Sequence, residues 1–160
     1  HSPNPTKAPW YFMGLQALLL HFPPVFSVFV IPALLTVALV FLPWMDVDAG
    51  QGGIWFRSRR GRATALASAG VAIAATVGAV VVDESLRASG ATGLVGRGLL
   101  PTALVVAACA GYGLFLRAVF RATHTELLQS MFTVVVTAFV VLTAVGVWFR
   151  GAGMQLGWWG

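Results

Sequence analysis

Charged side chains are scarce: they make up 9% of these 160 residues, against about 25% in an ordinary soluble domain. That shortage, with 58% hydrophobic residues, excludes a conventional soluble fold and points to lipid. A single cysteine, Cys109, excludes an intrachain disulfide and a Cys-only metal site. Cys109 sits inside an apolar run, where it reads as core packing and not as a redox centre. The chain has three histidines, His1, His21 and His124, and all lie outside the apolar runs. No run therefore supplies an axial ligand for a haem held between helices, and no metal site is expected. No carboxylate or lysine interrupts a run, so a mid-membrane ion path is missing too. A Ser-His-Asp set, metal-ligand spacing and a phosphate-cradling glycine loop are all absent. By itself this chain is not a complete enzyme.

What is present is apolar sequence of membrane length. Four stretches, residues 25–43, 63–82, 98–116 and 127–149, approach the roughly 20 helical residues needed to cross a hydrocarbon core. The expected fold is all-α, with four transmembrane helices in residues 25–160 behind an interfacial segment in residues 1–24. Pro32 is expected to kink the first helix. Ten basic residues outnumber five acidic ones, an excess that sets orientation and does not imply nucleic acid. Arg57, Arg59, Arg60 and Arg62 fall between the first two stretches, and Arg117 and Arg121 between the last two. By the positive-inside rule these connections are cytoplasmic, facing anionic lipid headgroups, and both chain ends are extracytoplasmic.

Ahead of the first stretch, Trp10, Leu15, Leu18, Leu19 and Phe22 recur at roughly helical spacing, and Pro23-Pro24 end the run. A short interfacial helix is expected there, and a looser surface segment over residues 83–100. Small residues recur every fourth position at Gly70, Ala74 and Gly78, and at Ala103, Ala107 and Gly111. Such stripes let helices approach closely, and packing within this chain is the first expectation, docking to another subunit the alternative. Thr133 and Thr137 read as hydroxyls bonded back to their own helix. Trp44, Trp55, Trp148, Trp158 and Trp159 mark the ends of spans, as interfacial aromatics do. The chain does not begin with Met and shows no secretory leader, as the ordered or processed part of a longer product would.

One motif stands out from the bulk: Lys7-Ala8-Pro9-Trp10-Tyr11-Phe12 leading into an apolar helix. It resembles the quinol-site loop of the carboxy-terminal half of cytochrome b, the subunit IV family of cytochrome bc-type complexes. There a Pro-Glu-Trp-Tyr-Phe segment lies in an extracytoplasmic loop before a transmembrane helix. The resemblance covers roughly residues 3–116, and the fourth stretch with Val147-Trp148-Phe149-Arg150-Gly151 looks like an addition seen in some bacterial members. It implies a subunit of a quinol:cytochrome c oxidoreductase in a bacterial inner membrane. Quinol would bind near Trp10, Tyr11 and Phe12. The partners would be a haem-bearing cytochrome b amino-terminal subunit, a Rieske iron–sulfur protein and a c-type cytochrome in a dimeric complex. The b-type haems and the iron–sulfur cluster would sit on those partners. The chain departs from the family where Ala8-Pro9 replaces Pro-Glu, which removes the carboxylate. His21 is then a candidate proton relay or a plain interfacial histidine, and Lys7 either steers a quinone oxygen or sits among headgroups. The alternative is a non-catalytic anchor or assembly subunit of another quinone-linked redox complex.

Overall fold

Three of the apolar stretches become helices long enough to cross a bilayer in the computed structural model, which describes residues 7–22, 25–44, 59–88, 100–151 and 157. They are α3 (Arg59–Ala88), α4 (Leu100–Phe120) and α5 (His124–Ala144), the last prolonged by a π-helical turn over Val145–Phe149. Among the described residues no strand element occurs. Before them come a 3-10 turn (Trp10–Phe12), α1 (Met13–His21), a π-helical turn (Phe26–Val30), α2 (Ile31–Phe41) and a 3-10 turn (Leu42–Trp44).

The first expected crossing is more broken than its composition suggests. Residues 25–44 are helical throughout, yet only Ile31–Phe41 is α-helix and the apolar run Val28–Phe41 falls short of a full crossing. The π-helical turn ends two residues before Pro32, which has no amide hydrogen for the turn ahead of it. Thr36 Oγ1 donates to the Pro32 carbonyl at 2.8 Å. The break expected at Pro32 takes the form of a widened turn just ahead of it. α2 makes its main contacts with its own flanking turns.

The expected spans also change at their ends. At 30 residues, α3 outreaches the hydrocarbon core, since its length is about 45 Å against a core of about 30 Å. Its ends therefore carry the polar residues, Arg59 and Arg62 at one and Asp83 and Glu84 at the other. Residues 83–88 continue this helix and are not a loose segment; residues 89–99 lie outside the described residues.

α4 and α5 meet through a tight turn. Arg121 adopts a left-handed φ of 49°, and the Ala122 amide donates to the Leu116 carbonyl at 3.3 Å. Thr123 then caps α5: its Oγ1 accepts from the Glu126 amide at 3.3 Å while Glu126 Oε2 accepts from the Thr123 amide at 3.1 Å. So short a connection forces α4 and α5 to be antiparallel neighbours at this end. Ser68 Oγ reaches Tyr112 Oη at 2.9 Å, which brings the start of α3 alongside. The exposed Arg59, Arg62, Arg117 and Arg121 therefore share one end of the bundle. Arg60 lies in the first turn of α3, and Arg57 lies outside the described residues.

α3 and α5 run parallel and form the most extensive helix pair. The buried positions of α3 are Gly61, Thr64, Ala65, Ser68, Ala72 and Val80, a narrow stripe of mostly small residues. Lipid tails are as apolar as leucine, so close backbone approach and not hydropathy selects a packing face. The buried hydroxyls close on neighbours: Thr64 Oγ1 donates to the Gly61 carbonyl at 3.0 Å and Ser68 Oγ to the Thr64 carbonyl at 2.7 Å. Thr133 Oγ1 bonds back to the Gln129 carbonyl at 2.8 Å, as its position in a span suggests.

Two expectations about packing are overturned. Gly70, Ala74 and Gly78 point outward, as do Ala103, Ala107 and Gly111, and a Cβ on Gly70, Gly78 or Gly111 would meet nothing within 4 Å. These stripes do not pack within the chain, because a parallel stripe on α3 already serves α5. Cys109 is likewise exposed and not core, since residues 103–111 of α4 lie away from the bundle and only its later turns pack.

Candidate functional site

At the end of the bundle opposite the arginines, α1 is docked against α3 and α5. Its buried positions are Met13, Gly14 and Ala17, whereas Trp10, Leu15 and Leu19 are exposed. The packed face is thus a small-residue face, and of the regularly spaced apolar residues Leu18 and Phe22 are partly buried. Gly14 lies against the Phe139 carbonyl and Thr143 of α5, and Gly146 lies against Met13. Two glycines facing across the contact let the backbones approach. Ala17, Val80 and Leu142 then close a small core, with Leu18 and Val145 packed on it.

This docking carries His21 into a charged chain. His21 Nδ1 lies 2.6 Å from Asp83 Oδ2 at the far end of α3, and Arg150 Nη2 lies 3.2 Å from His21 Nε2. Three separate elements supply the three groups. A guanidinium can only donate, so Nε2 must accept from Arg150 and the imidazole is neutral. Nδ1 then carries the proton and donates to Asp83. The tautomer is set by its two neighbours, as it is wherever a carboxylate orients an imidazole. Arg150 is 2% exposed, and the side chains of His21 and Asp83 are 12% and 25% exposed. The site is dry on the arginine side and wetter on the aspartate side.

The geometry of α5 prepares this arrangement. Its last turn, Val145–Phe149, widens to π form and ends at Arg150, whose backbone is extended at φ −107° and ψ 122°. A π turn adds a residue and re-aims the side chains beyond it, and such turns cluster at functional positions. The same turn holds the aromatic loop. Lys7 Nζ donates to the Val147 carbonyl at 3.3 Å, and the Ala8 amide donates to Gln16 Oε1 at 2.7 Å. The Phe12 amide donates to the Pro9 carbonyl at 2.9 Å, closing the Pro9-Trp10-Tyr11-Phe12 turn.

Of the residues singled out in the sequence, His21 is drawn into the site, whereas Trp10, Tyr11 and Phe12 are exposed at the opposite end of α1. Trp10 is 72% exposed, and its ring meets Tyr11 edge-on at a centroid distance of 5.8 Å. Tyr11 and Phe12 lie 5.0 Å apart. Lys7 bonds a backbone carbonyl of α5 and does not simply sit among headgroups. Asp83 and Arg150 are the members that motif reading did not select. Their only signal was position, each at the end of an apolar run. Trp44 and Trp148 are exposed at helix ends, and Trp55, Trp158 and Trp159 lie outside the described residues.

Among the described residues, no three His, Cys, Asp or Glu side chains are grouped to hold a metal ion. Of the described histidines, His21 is engaged by Asp83 and Arg150, and His124 Nδ1 lies 3.0 Å from Arg117 Nη2. Among its described residues the chain is all-α, with three helices long and apolar enough to cross a membrane and a part-buried Asp–His–Arg chain at one end. No protein-family model, curated protein or solved structure matches it.

Proposed function

We propose that this chain is a subunit IV-like component of a quinol:cytochrome c oxidoreductase, contributing one wall of an extracytoplasmic quinol-oxidation pocket. One observation carries the reading. The Pro9-Trp10-Tyr11-Phe12 turn is presented at the surface, and its approach is anchored through Lys7 to the π-helical turn that prolongs α5, at the end opposite the arginine-rich one. In this reading residues 25–44 make a fourth crossing once a partner packs against them, and both chain ends are extracytoplasmic in a bacterial inner membrane. The arginine end meets anionic headgroups. Electrons leave to acceptors on partner subunits, one to a Rieske iron–sulfur protein on the way to a c-type cytochrome and one to b-type haems. This chain supplies positioning.

The test is Trp10→Ala and Tyr11→Ala in the assembled complex. Each is expected to lower quinol turnover at least roughly tenfold, equivalent to about 1.4 kcal/mol, with normal assembly. Unchanged turnover in both would remove the quinol-site reading. A second reading, a non-catalytic anchor or assembly subunit of another quinone-linked complex, is favoured by the lack of a carboxylate in residues 7–12 and by the outward small-residue faces of α3 and α4. It leaves both substitutions silent.

A further inference from the structure

α1 is fastened at its last residue by polar bonds to two elements that are far apart in sequence. His21 reaches Asp83 of α3 through Nδ1 at 2.6 Å and Arg150 beyond α5 through Nε2 at 3.2 Å. Nearer its start, α1 rests on α5 through Gly14, and Ala17 covers Val80 and Leu142. The polar end tolerates one protonation state. A guanidinium has no lone pair to offer, so Nε2 bonds Arg150 only while the imidazole is neutral. We propose that the Asp83–His21–Arg150 chain is an acid-released clasp on α1, closed while His21 is neutral and opened when Nε2 takes a proton from water. The clasp needs no quinol and stands apart from the quinol reading.

The two neighbours of His21 act in opposite senses: Asp83 favours the imidazolium and Arg150 opposes it. Solvent decides between them. The Asp83 side chain is 25% exposed, so water screens its attraction, whereas Arg150 is 2% exposed and its repulsion is screened far less. A proton on Nε2 also sets two N–H groups against each other, which removes the Arg150 bond outright. The His21 side chain is itself 12% exposed, so the new charge would be poorly hydrated. With a neutral imidazole, Asp83 and Arg150 balance; with an imidazolium, one positive charge in the clasp is left over. Release of α1 returns His21 to water and leaves Asp83 and Arg150 to each other. Docked α1 thus binds the proton less readily than released α1. Docking is strongest above about pH 6.5, the ordinary histidine value, and weakens below it by up to about tenfold per pH unit. The other described charged side chains at this end are Glu84 on α3 and Lys7 ahead of α1; α1 and the last turns of α5 add none. Lys7 Nζ donates to the Val147 carbonyl, and Glu84 Oε2 is buried without a hydrogen-bond partner.

The experiment uses the full chain in detergent, with Ala17→Cys in a Cys109→Ser background, labelled with a maleimide at about pH 7.5 and about pH 5. Each rate is divided by that of the same chain denatured at the same pH, which cancels titration of the thiol. The ratio is expected to rise between about tenfold and thirtyfold on acidification, the span of one proton gained on release. His21→Gln keeps an acceptor for Arg150 and cannot be protonated, so its ratio should not change with pH. Glu84→Gln should keep the rise. A ratio in the parent chain that ignores pH, a rise that survives His21→Gln, or a rise lost in Glu84→Gln overturns the proposal. A second measurement needs no change at His21: nitrogen NMR of the histidine rings, assigned by replacing His1 and His124. His21 should be the neutral Nδ1–H tautomer at about pH 7.5 and titrate below about 6.5. An imidazolium at about pH 7.5, or titration above about 6.5, overturns the proposal even where His21→Gln does not fold.

Discussion

Arg150→Leu is expected to destabilise the protein by about 3 kcal/mol, the low end of the cost of removing one partner from a buried charged pair. Arg150 is 2% exposed, and it is the cation that balances Asp83 across a neutral imidazole. Without it, Nε2 loses its donor and the Asp83–His21 pair loses the buried positive charge beside it. Asp83 retains access to water, which keeps the loss from the top of the range. For a chain of this size, the thermal midpoint in detergent should fall by roughly 6–12 °C. Arg59→Leu is the matching control, because Arg59 is exposed at the opposite end. Its effect should stay within about 0.5 kcal/mol. Equal losses in the two variants would mean that net charge and not the buried chain matters.

The second large effect belongs to Gly14→Leu. A Cβ at this position would overlap Thr143 Oγ1 and stand 3.0 Å from the Phe139 carbonyl oxygen. A backbone oxygen inside a helix cannot retreat, and Thr143 Oγ1 is itself bonded to that carbonyl at 2.8 Å. Overpacking a tight contact costs about 1–3 kcal/mol when the neighbours can adjust. Here α1 must lift away, which uncovers Ala17 and separates His21 from Asp83. The expected readout is maleimide labelling of a cysteine placed at Ala17, in a Cys109→Ser background because Cys109 is exposed. Labelling should be slow with Gly14 and become fast with Gly14→Leu. Gly70→Leu, with nothing within 4 Å of its Cβ, should leave it slow. Slow labelling in Gly14→Leu would show that α1 is not held by this contact.

Both results depend on features that the sequence reveals unevenly. Hydropathy is a local property, so the three crossings and the arginine-rich end were legible from run length and charge placement. Packing faces were not. On α3, the stripe through Gly61, Ala65 and Ala72 and the stripe through Gly70, Ala74 and Gly78 have similar small-residue spacing, yet only the first is buried. Along residues 10–22, bulky Trp10, Leu15 and Leu19 recur at helical spacing and are exposed, whereas Gly14 and Ala17 are buried. Size decides contact in lipid, and apolar residues have no reason to turn inward.

The site was legible in one member. His21 attracted notice through its pKa class, but its partners lie 62 and 129 positions away along the chain. Their identity comes from topology and not from a motif. Asp83 and Arg150 each end an apolar run, and parallel α3 and α5 bring those ends together. Opposite charges placed at the same end of two spans were the signal that could have paired them.

The most direct test of the quinol reading is the set of subunits that accompanies this chain out of the membrane. A tagged chain purified from its native membranes in mild detergent should bring a subunit bearing b-type haem, seen in the reduced-minus-oxidised spectrum. It should also bring a Rieske-type paramagnetic signal, and quinol should reduce cytochrome c. A pure, correctly folded chain whose stable partners carry neither b-type haem nor the iron–sulfur signal would contradict that reading.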